Sequence, residues 1–469
     1  MLRENTCQVL LLPQEILDEI LSEIDLHRDL ISFALVSRTC TRLVIPRHNE
    51  YRIVRIRHKL PSMWAHLAKR ADLARNIREV HVCERHNHSA SDHSPTTLVP
   101  PCNVDDTGSE ETRVQNMCMA LQNMHRLRVF TWSCTYNPFP EPTATPSQEA
   151  EILGTLVSKP LLRKVALAGA FEARPGCHNS IYPLWNLTKL THLSLVGRVW
   201  VRPQIGPFLK SMLKACPTIE VLKVPMELTI LSGCVFPQLK KVNIFLQSGG
   251  TLSLDKSWVR FLEKNPTIEE LAWFPLGPLI GGLSPDSLPR IRRVFGSELL
   301  LKAIYASPRP IECVETTAEP AMFAYLDEIN ADCLREVRFT CSIGNTYDAL
   351  LTLAEKCPNI TRLSFPEYHM KLDDWLHLFS LLPALEVFEG MSLWRAVDGN
   401  LDKMHQAIMQ ALMLCPNLRE LDHYKYDAKR NAYAKIVILR EEGEESDNVR
   451  YEVRRPPPRD LFDFRYSLR

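Results

Sequence analysis

The chain has 469 residues, of which 45% are apolar, 24% charged and 8% aromatic, as in an ordinary globular protein rather than a disordered or collagen-like one. Its 56 Lys and Arg residues against 55 Asp and Glu leave a net charge of +1, so neither nucleic acid nor an anionic membrane is expected as a partner. No apolar run is long enough to span a bilayer, and the N-terminus lacks the features of an export signal.

The fourteen cysteines are spread along the chain and are never closer than eight residues apart. This spacing contains no Cys-x-x-Cys pair, which excludes a zinc ribbon or a thioredoxin-like redox motif. Without an export signal, the cysteines are expected to be reduced and mostly buried thiols of a cytoplasmic or nuclear protein.

The first predicted helix begins at Pro13, whose missing N–H would have no partner inside the helix. Isoleucines at spacing i, i+4 and i+8 give this helix a broad apolar stripe, and its acidic residues are expected on the solvent side. The stripe consists of Ile16, Ile20 and Ile24, and the acidic residues are Asp18, Glu19 and Glu23.

A second helix is predicted from Leu30 to about Thr39, with Asp29 as its cap, and a third apolar stretch ends at Pro46. Three short helices in about 40 residues are too few to bury this much apolar surface by themselves. The surplus side chains must therefore pack on the rest of the chain or form a docking surface for a partner.

Residues 8–48 resemble the F-box in several elements that occur in the right order: Leu12-Pro13-x-Glu15-Ile16-Leu17, Asp29-Leu30, Leu35-Val36-Ser37-Arg38 and Leu43. The sequence departs from the family at Cys40, where many F-boxes have Trp, and at Pro46-Arg47-His48, which replaces a late Leu-Trp. The resemblance implies a three-helix motif that binds the Skp adaptor of a cullin–RING ubiquitin ligase. The adaptor-binding residues that it implies are Leu12, Pro13, Ile16, Leu17, Ile20, Leu30, Val36 and Leu43. The alternative for this segment is a purely structural N-terminal helical cap that closes a repeat array.

From residue 75 onward one pattern recurs, with an apolar residue, two variable ones, an apolar one, one variable and another apolar. Clear copies begin at Ile219, Ile268, Ile360 and Leu418, each preceded by Cys-Pro or Asn-Pro. Weaker copies begin at Ile77, Leu127, Leu162, Leu190, Leu239, Ile291, Ile311, Leu334 and Leu385. The step from Leu127 to Leu418 averages about 26 residues, within the range of leucine-rich repeats. Each copy predicts one strand, with its apolar residues in a core shared between neighbouring repeats.

The predicted fold is α/β, with an F-box at 8–48 followed by a leucine-rich-repeat solenoid that has parallel strands on its concave face and helices or turns outside. Residues 49–75 are expected to link the two parts with a first strand and helix, and the array to run over 76–440. Strands are predicted at 435–440 and 449–454, and segment 441–469, which includes the second of them, is predicted as a closing cap or tail. Residues 86–112 and 136–147 are expected to be flexible insertions, and His86, His88 and His93 fit no known metal site.

The sequence contains no recognisable catalytic motif, so we expect no enzymatic activity, no cofactor and no metal site. Function is therefore expected on surfaces, and variable residues that flank the apolar strand positions are candidates for substrate binding. These candidates are Lys241, Asn243, Phe245, Glu270, Phe274, Arg362, Glu420 and Tyr424. Together with the F-box resemblance, this predicts a substrate-recognition subunit of an SCF-type E3 ubiquitin ligase, which joins a Skp-family adaptor and its cullin to an unidentified target protein. A ligase-independent scaffold and, among enzymes, a repeat-built activator of a GTPase are the alternatives.

Overall fold

The computed structural model describes residues 11–24, 27–45, 48–49, 51–57, 61–83, 109–133, 146–168, 181–197, 200, 202–225, 228–245, 256–275, 279, 281–318, 332–342, 347–365, 370–427, 432–439 and 450–455. The chain divides at Pro217 into two compact units. Each unit is built on its own series of parallel strands, and the two are described in turn.

The first unit begins with three helices, α1 (Gln14–Glu23), α2 (His27–Ala34) and α3 (Arg38–Val44). Their small core consists of Leu21, Leu30, Ala34 and Val44. The prediction of one helix from Leu30 to about Thr39 is wrong, because Ser37 has extended backbone and its side chain accepts a hydrogen bond from the Cys40 N–H at 3.1 Å, which caps α3. Asp29 lies inside the first turn of α2 and not at its cap.

A parallel sheet of five strands follows, with the strands side by side in chain order. The strands are β1 (Ile53–Arg57), β2 (Glu79–Cys83), β3 (Val129–Ser133), β4 (Lys164–Ala168) and β5 (His192–Val196). The accompanying helices are α4 (Pro61–Lys69), α5 (Ala71–Ala74), α6 (Glu110–Asn123), α7 (Pro146–Val157), a 3-10 helix (Tyr182–Asn186) and α8 (Gly206–Ala215). The predicted strand and helix of the linker are therefore present as β1 and α4.

The second unit has nine parallel strands in chain order and two antiparallel ones at the end. The strands are β6 (Val221–Pro225), β7 (Lys241–Phe245), β8 (Glu270–Trp273), β9 (Arg293–Gly296), β10 (Cys313–Ala318), β11 (Glu336–Ser342), β12 (Arg362–Ser364), β13 (Val387–Glu389), β14 (Glu420–Asp427), β15 (Ala432–Leu439) and β16 (Arg450–Arg454). The helices are α9 (Leu228–Leu231), α10 (Ser257–Lys264), α11 (Glu298–Tyr305), α12 (Tyr347–Lys356), α13 (Leu372–Ser380), α14 (Ser392–Ala396) and α15 (Leu401–Leu414).

All thirteen predicted repeat copies carry a strand that begins two residues after the first apolar position. In the repeat that contains β6, for example, Ile219, Leu222 and Val224 are all buried, as the pattern requires of residues that share a core with neighbouring repeats. The prediction of an α/β array of leucine-rich type is thereby confirmed for the strands of each unit. The two predicted C-terminal strands are also confirmed as β15 and β16, and antiparallel pairing begins at β15, before residue 441.

The turns that enter β6, β12 and β14 each contain a buried cysteine. The Sγ of Cys216 donates to the Leu187 carbonyl at 3.1 Å, and the Sγ of Cys415 lies 3.3 Å from the carbonyl oxygens of Phe379 and Leu382. Cys357 is buried at the same position of its own repeat. Of the predicted insertions, only the starts of α6 and α7 are among the described residues; His86, His88 and His93 lie outside them.

Candidate functional site

Helix α1 has one flank in the core of the three helices, a polar flank that contacts the array, and a flank with exposed isoleucines. Leu17 and Leu21 are buried, and Leu21 belongs to the core shared with α2 and α3. A second flank is polar and contacts the first repeats of the array. The third flank carries Ile16, which is 49% exposed, and Ile20 one turn later, which is also exposed. Two isoleucines of the predicted stripe are thus about half exposed, whereas the third, Ile24, packs against the core of the three helices.

The prediction that Asp18 faces solvent is wrong, because Asp18 lies on the polar flank of α1 that contacts the array. Asp18 is only 8% exposed, and its Oδ1 lies 3.3 Å from the Nε2 of buried His48. Its Oδ2 lies 3.6 Å from an Nη2 atom of Arg75. These partners offset the desolvation of the carboxylate, which would otherwise be expensive to bury. Sequence periodicity missed this arrangement because both partners come from outside the helix.

Two further arginines contact the same flank of α1. Arg126, which precedes β3, reaches Glu19 and Glu23 with N–O distances of 2.6 and 2.7 Å. Arg78, which immediately precedes β2, donates from Nη2 to the carbonyl oxygen of Ser22. Because the array holds α1 by this flank, the exposed isoleucines point away from it.

Exposed apolar side chains continue onto α2 and the turn that follows it. Ile31 is exposed, and Leu35 and Val36 are 80% and 74% exposed. We call Leu12, Ile16, Ile20, Ile31, Leu35 and Val36 the exposed apolar set. So many uncovered large aliphatic side chains within 25 residues are typical of a surface that binds a partner.

The structure separates the eight predicted adaptor-binding residues by burial. Leu12, Pro13, Ile16, Ile20 and Val36 are exposed, Leu43 is half-buried, and Leu17 and Leu30 are buried. A partner could touch the first five directly, whereas Leu17 and Leu30 stabilise the helices that present them. Ile31 and Leu35 were not among the predicted residues, although their i, i+4 spacing was a signal that could have found them.

The eight predicted substrate-binding residues lie on or next to strands of the second unit. Asn243 and Phe245 on β7 are buried, whereas Tyr424 on β14 is exposed. The other five are half-buried: Lys241, Glu270, Phe274, Arg362 and Glu420. Register places Lys241 opposite Glu270, and Nζ lies 2.9 Å from Oε1.

A network of charged side chains, not predicted as a whole, crosses β11 to β15. Arg338 lies 2.5 Å from Glu336 and 3.3 Å from Glu389, and Arg362 lies 3.1 Å from Glu389. Lys435 completes it, 3.0 Å from Glu389 and 2.6 Å from Asp422. We call Glu336, Arg338, Arg362, Glu389, Asp422 and Lys435 the charge network.

Glu389 lies at the centre of the charge network. Burial alone would raise the pKa of its carboxyl, but Arg338, Lys435 and Arg362 outweigh that effect and bring the pKa to about 2. Burial raises the pKa of Asp422, although that carboxylate also accepts a hydrogen bond from the Gly390 N–H at 2.7 Å. The network therefore keeps Glu389 ionised and joins neighbouring strands.

Comparison with known proteins gives little further guidance. No family model matches the chain, and no curated protein matches it. Solved structures with some similarity include the complex of Rad7 and Elc1 from yeast, with 14% identity, a TM-score of 0.29, and coverage of 60% of this chain and 84% of the other. The TLR13–ssRNA13 complex has 12% identity and a TM-score of 0.30, and covers 76% of this chain and 56% of the other. At TM-scores this low, neither structure bears on what this chain does.

Metal ligands and membrane-spanning helices are the other features considered for the described residues. No three His, Cys, Asp or Glu side chains in that part of the chain converge as metal ligands would. No helix found there is both long and apolar enough to cross a membrane.

Proposed function

We propose that the chain is a substrate-recognition subunit of an SCF-type ubiquitin ligase. Its N-terminal helices would bind a Skp-family adaptor through the exposed apolar set, and its repeats would bind the target protein. The observation that carries the proposal is the flank of α1 on which Ile16 and Ile20 are exposed, while Leu21 packs in the core of the three helices and Glu19 pairs with Arg126. The F-box resemblance of residues 8–48 supplies the identity of the partner.

The size of the exposed apolar set suits such a partner. Full burial of a Leu or Ile side chain contributes about 1.5–3 kcal/mol, so covering six side chains that are about half exposed contributes on the order of 5–8 kcal/mol before the cost of association. A micromolar complex corresponds to about 8 kcal/mol net, so this set would supply part of the binding energy and further contacts of the partner would have to supply the rest. The ligase would act by holding the target near the ubiquitin-charged enzyme, which raises its effective concentration.

The proposal is tested by calorimetric titration of the full chain with a Skp-family adaptor from the same organism. We expect a micromolar or tighter complex, weakened at least tenfold by Ile16→Asp/Ile20→Asp and by Leu12→Ala/Pro13→Ala. The matched control is Leu401→Asp, which changes an exposed leucine on α15 of the second unit and should leave affinity unchanged. Circular dichroism of each variant checks that the fold is retained.

Absence of a complex with the wild-type chain would refute the proposal. The same experiment, repeated with the matching cullin, separates the ligase from the scaffold alternative. A ligase subunit recruits the cullin through the adaptor, whereas an adaptor complex that excludes the cullin would identify a ligase-independent scaffold.

A further inference from the structure

A second exposed cluster, made of aromatic side chains, lies in the first unit. Tyr182 and Trp185 belong to the 3-10 helix, and Phe208 lies in the first turn of α8. Tyr182 is 57% and Phe208 44% exposed, and their ring centroids are 5.8 Å apart in an edge-on arrangement. Trp185 is half-buried and stacks on Phe208 at 6.1 Å with an interplanar angle of 16°. We call these three residues the aromatic cluster.

The aromatic cluster is held rigidly. A proline stands near the start of each element that carries it, Pro183 in the 3-10 helix and Pro207 in α8. Trp185 also packs edge-on against fully buried Trp200, with ring centroids 6.5 Å apart. Rigid aromatic side chains lose little conformational entropy when a partner covers them, which is why they are common among the residues that dominate binding energy.

The segment of the sequence that carries the aromatic cluster is rich in basic residues. Residues 158–216 contain nine Lys or Arg residues and a single acidic residue, Glu172, although the whole chain is nearly neutral. Every charged side chain described in that segment is basic. Lys189 and Lys214 are exposed, and Lys214 shares α8 with Phe208. Such a local excess attracts a partner of the opposite charge.

We propose that the aromatic cluster and its lysines bind an acidic protein segment, which places an apolar side chain against Tyr182 and Phe208. This surface is separate from the exposed apolar set, and the inference does not depend on the ligase function. A single-stranded nucleic acid would also complement the charge. Base stacking, however, needs free ring faces, and Phe208 and Trp185 already stack on each other, which favours a protein segment.

The test is selection from a phage-displayed library of random peptides of about twelve residues, performed on the full chain. We expect enrichment of peptides with net negative charge and a bulky apolar residue. By fluorescence anisotropy, the best peptide should bind at least tenfold more weakly to Tyr182→Ala/Phe208→Ala and to Lys189→Glu/Lys214→Glu, and addition of salt should weaken it further. The matched control Leu401→Ala/Met413→Ala removes two exposed apolar side chains of α15 and should not change binding.

Three outcomes would overturn the inference. The first is a selection that yields no acidic peptides, and the second is an acidic peptide whose affinity is unchanged in the aromatic variant. The third is an oligo(U) of similar length that binds more tightly than the best peptide and loses affinity in the same variants, which would make this surface a nucleic-acid site. Thermal melts of all variants confirm that binding is compared between folded proteins.

Discussion

Arg126 binds two carboxylates of α1 at once, with Glu19 at 2.6 Å and Glu23 at 2.7 Å. The two glutamates are one helical turn apart, so a single guanidinium spans the flank of the helix and fixes its rotation as well as its position. With Asp18 held by His48 and Arg75 on the same side, α1 cannot turn its isoleucines inward without losing these contacts. The exposure of Ile16 and Ile20 therefore follows from electrostatics elsewhere on the helix.

Arg126→Glu should loosen α1 without unfolding the array. Two ion pairs are lost and two repulsions created, and because the glutamates are largely exposed we expect only about 1–2 kcal/mol of local destabilisation. Hydrogen exchange measured by mass spectrometry should show faster exchange of the α1 amides while β3 and β4 stay protected. The double variant Glu19→Arg/Arg126→Glu should restore part of the protection.

Arg70→Glu is the control for this effect. It removes another well-formed arginine pair, in which Arg70 Nη2 lies 2.8 Å from Asp72, but that pair is local and does not touch α1. Unchanged exchange of α1 in Arg126→Glu, or an equal effect in Arg70→Glu, would show that the contact across the chain does not hold the helix.

Glu389 should make the second unit sensitive to acid. Its pKa of about 2 lies below the unfolded value of about 4.3, so its stabilisation is complete above roughly pH 5 and is lost as the pH falls towards 2. The contribution at neutral pH is on the order of 3 kcal/mol. Asp422 does not share in this loss, because burial raises the pKa of its carboxyl. Glu389→Gln should lower stability at pH 7 and flatten the decline at acid pH, as measured by urea unfolding at several pH values.

Glu452→Gln provides the comparison for Glu389→Gln. The side chain of Arg454 lowers the pKa of Glu452 through a hydrogen bond, but this pair on β16 is fully exposed and screened by solvent. We therefore expect the free energy of unfolding of Glu452→Gln to decline with falling pH in the same way as that of the wild type. If both variants decline alike with falling pH, burial within the charge network is not the source of the acid sensitivity.

Most of the strand positions could be predicted from the sequence, because the spacing of apolar residues within each repeat is enough to place its strand. Leu222 and Val224 are buried by simple alternation along the strand, Ile219 is buried in the turn before it, and the Pro that precedes each clear copy marks the entry to the strand. The same local rule applies thirteen times. An error in one copy would therefore not shift the others.

The contacts that orient the candidate surfaces could not be predicted in the same way. Arg126 and Glu19 are separated by more than a hundred residues, and the charge network draws on five strands. The sequence of a single helix or strand does not reveal such partners, since charged residues at those positions are equally compatible with exposure to solvent. The break between α2 and α3 was missed for a simpler reason: Ser37, which follows the end of the apolar run at Val36, was taken as part of the second helix and not as the cap of a third.

The buried thiols of the repeat turns should resist modification in the folded chain. Burial raises the pKa of Cys357 to about 11 and that of Cys415 to about 12, so almost no thiolate exists at pH 8. Iodoacetamide labelling followed by peptide mass spectrometry should leave both unmodified until urea is added. Cys333, which is half-buried, should react before either of them. Labelling of Cys415 as fast as Cys333 without denaturant would contradict the role of burial.

Asn265 occupies the turn position that cysteine holds in other repeats, and it makes more contacts there. Its Nδ2 donates to the carbonyls of Phe261 at 2.8 Å and Cys234 at 3.4 Å, and its Oδ1 accepts from the Phe236 N–H at 2.7 Å. Asn265→Ala would leave three buried backbone groups without partners and should cost about 3 kcal/mol, whereas Asn265→Cys can still donate to a carbonyl, as Cys415 does, and should cost less.

Urea unfolding measures this difference, with Asn400→Ala as the matched control. Asn400 caps α15 through one exposed bond to the Lys403 N–H at 3.0 Å, so its loss should cost about 1 kcal/mol. Equal costs for Asn265→Ala and Asn400→Ala would mean that the backbone groups of the turn find other partners. The expected order, with Asn265→Ala the most destabilising and Asn265→Cys less so, would instead show that this register position stabilises the array by bonding across neighbouring repeats, whichever small polar residue occupies it.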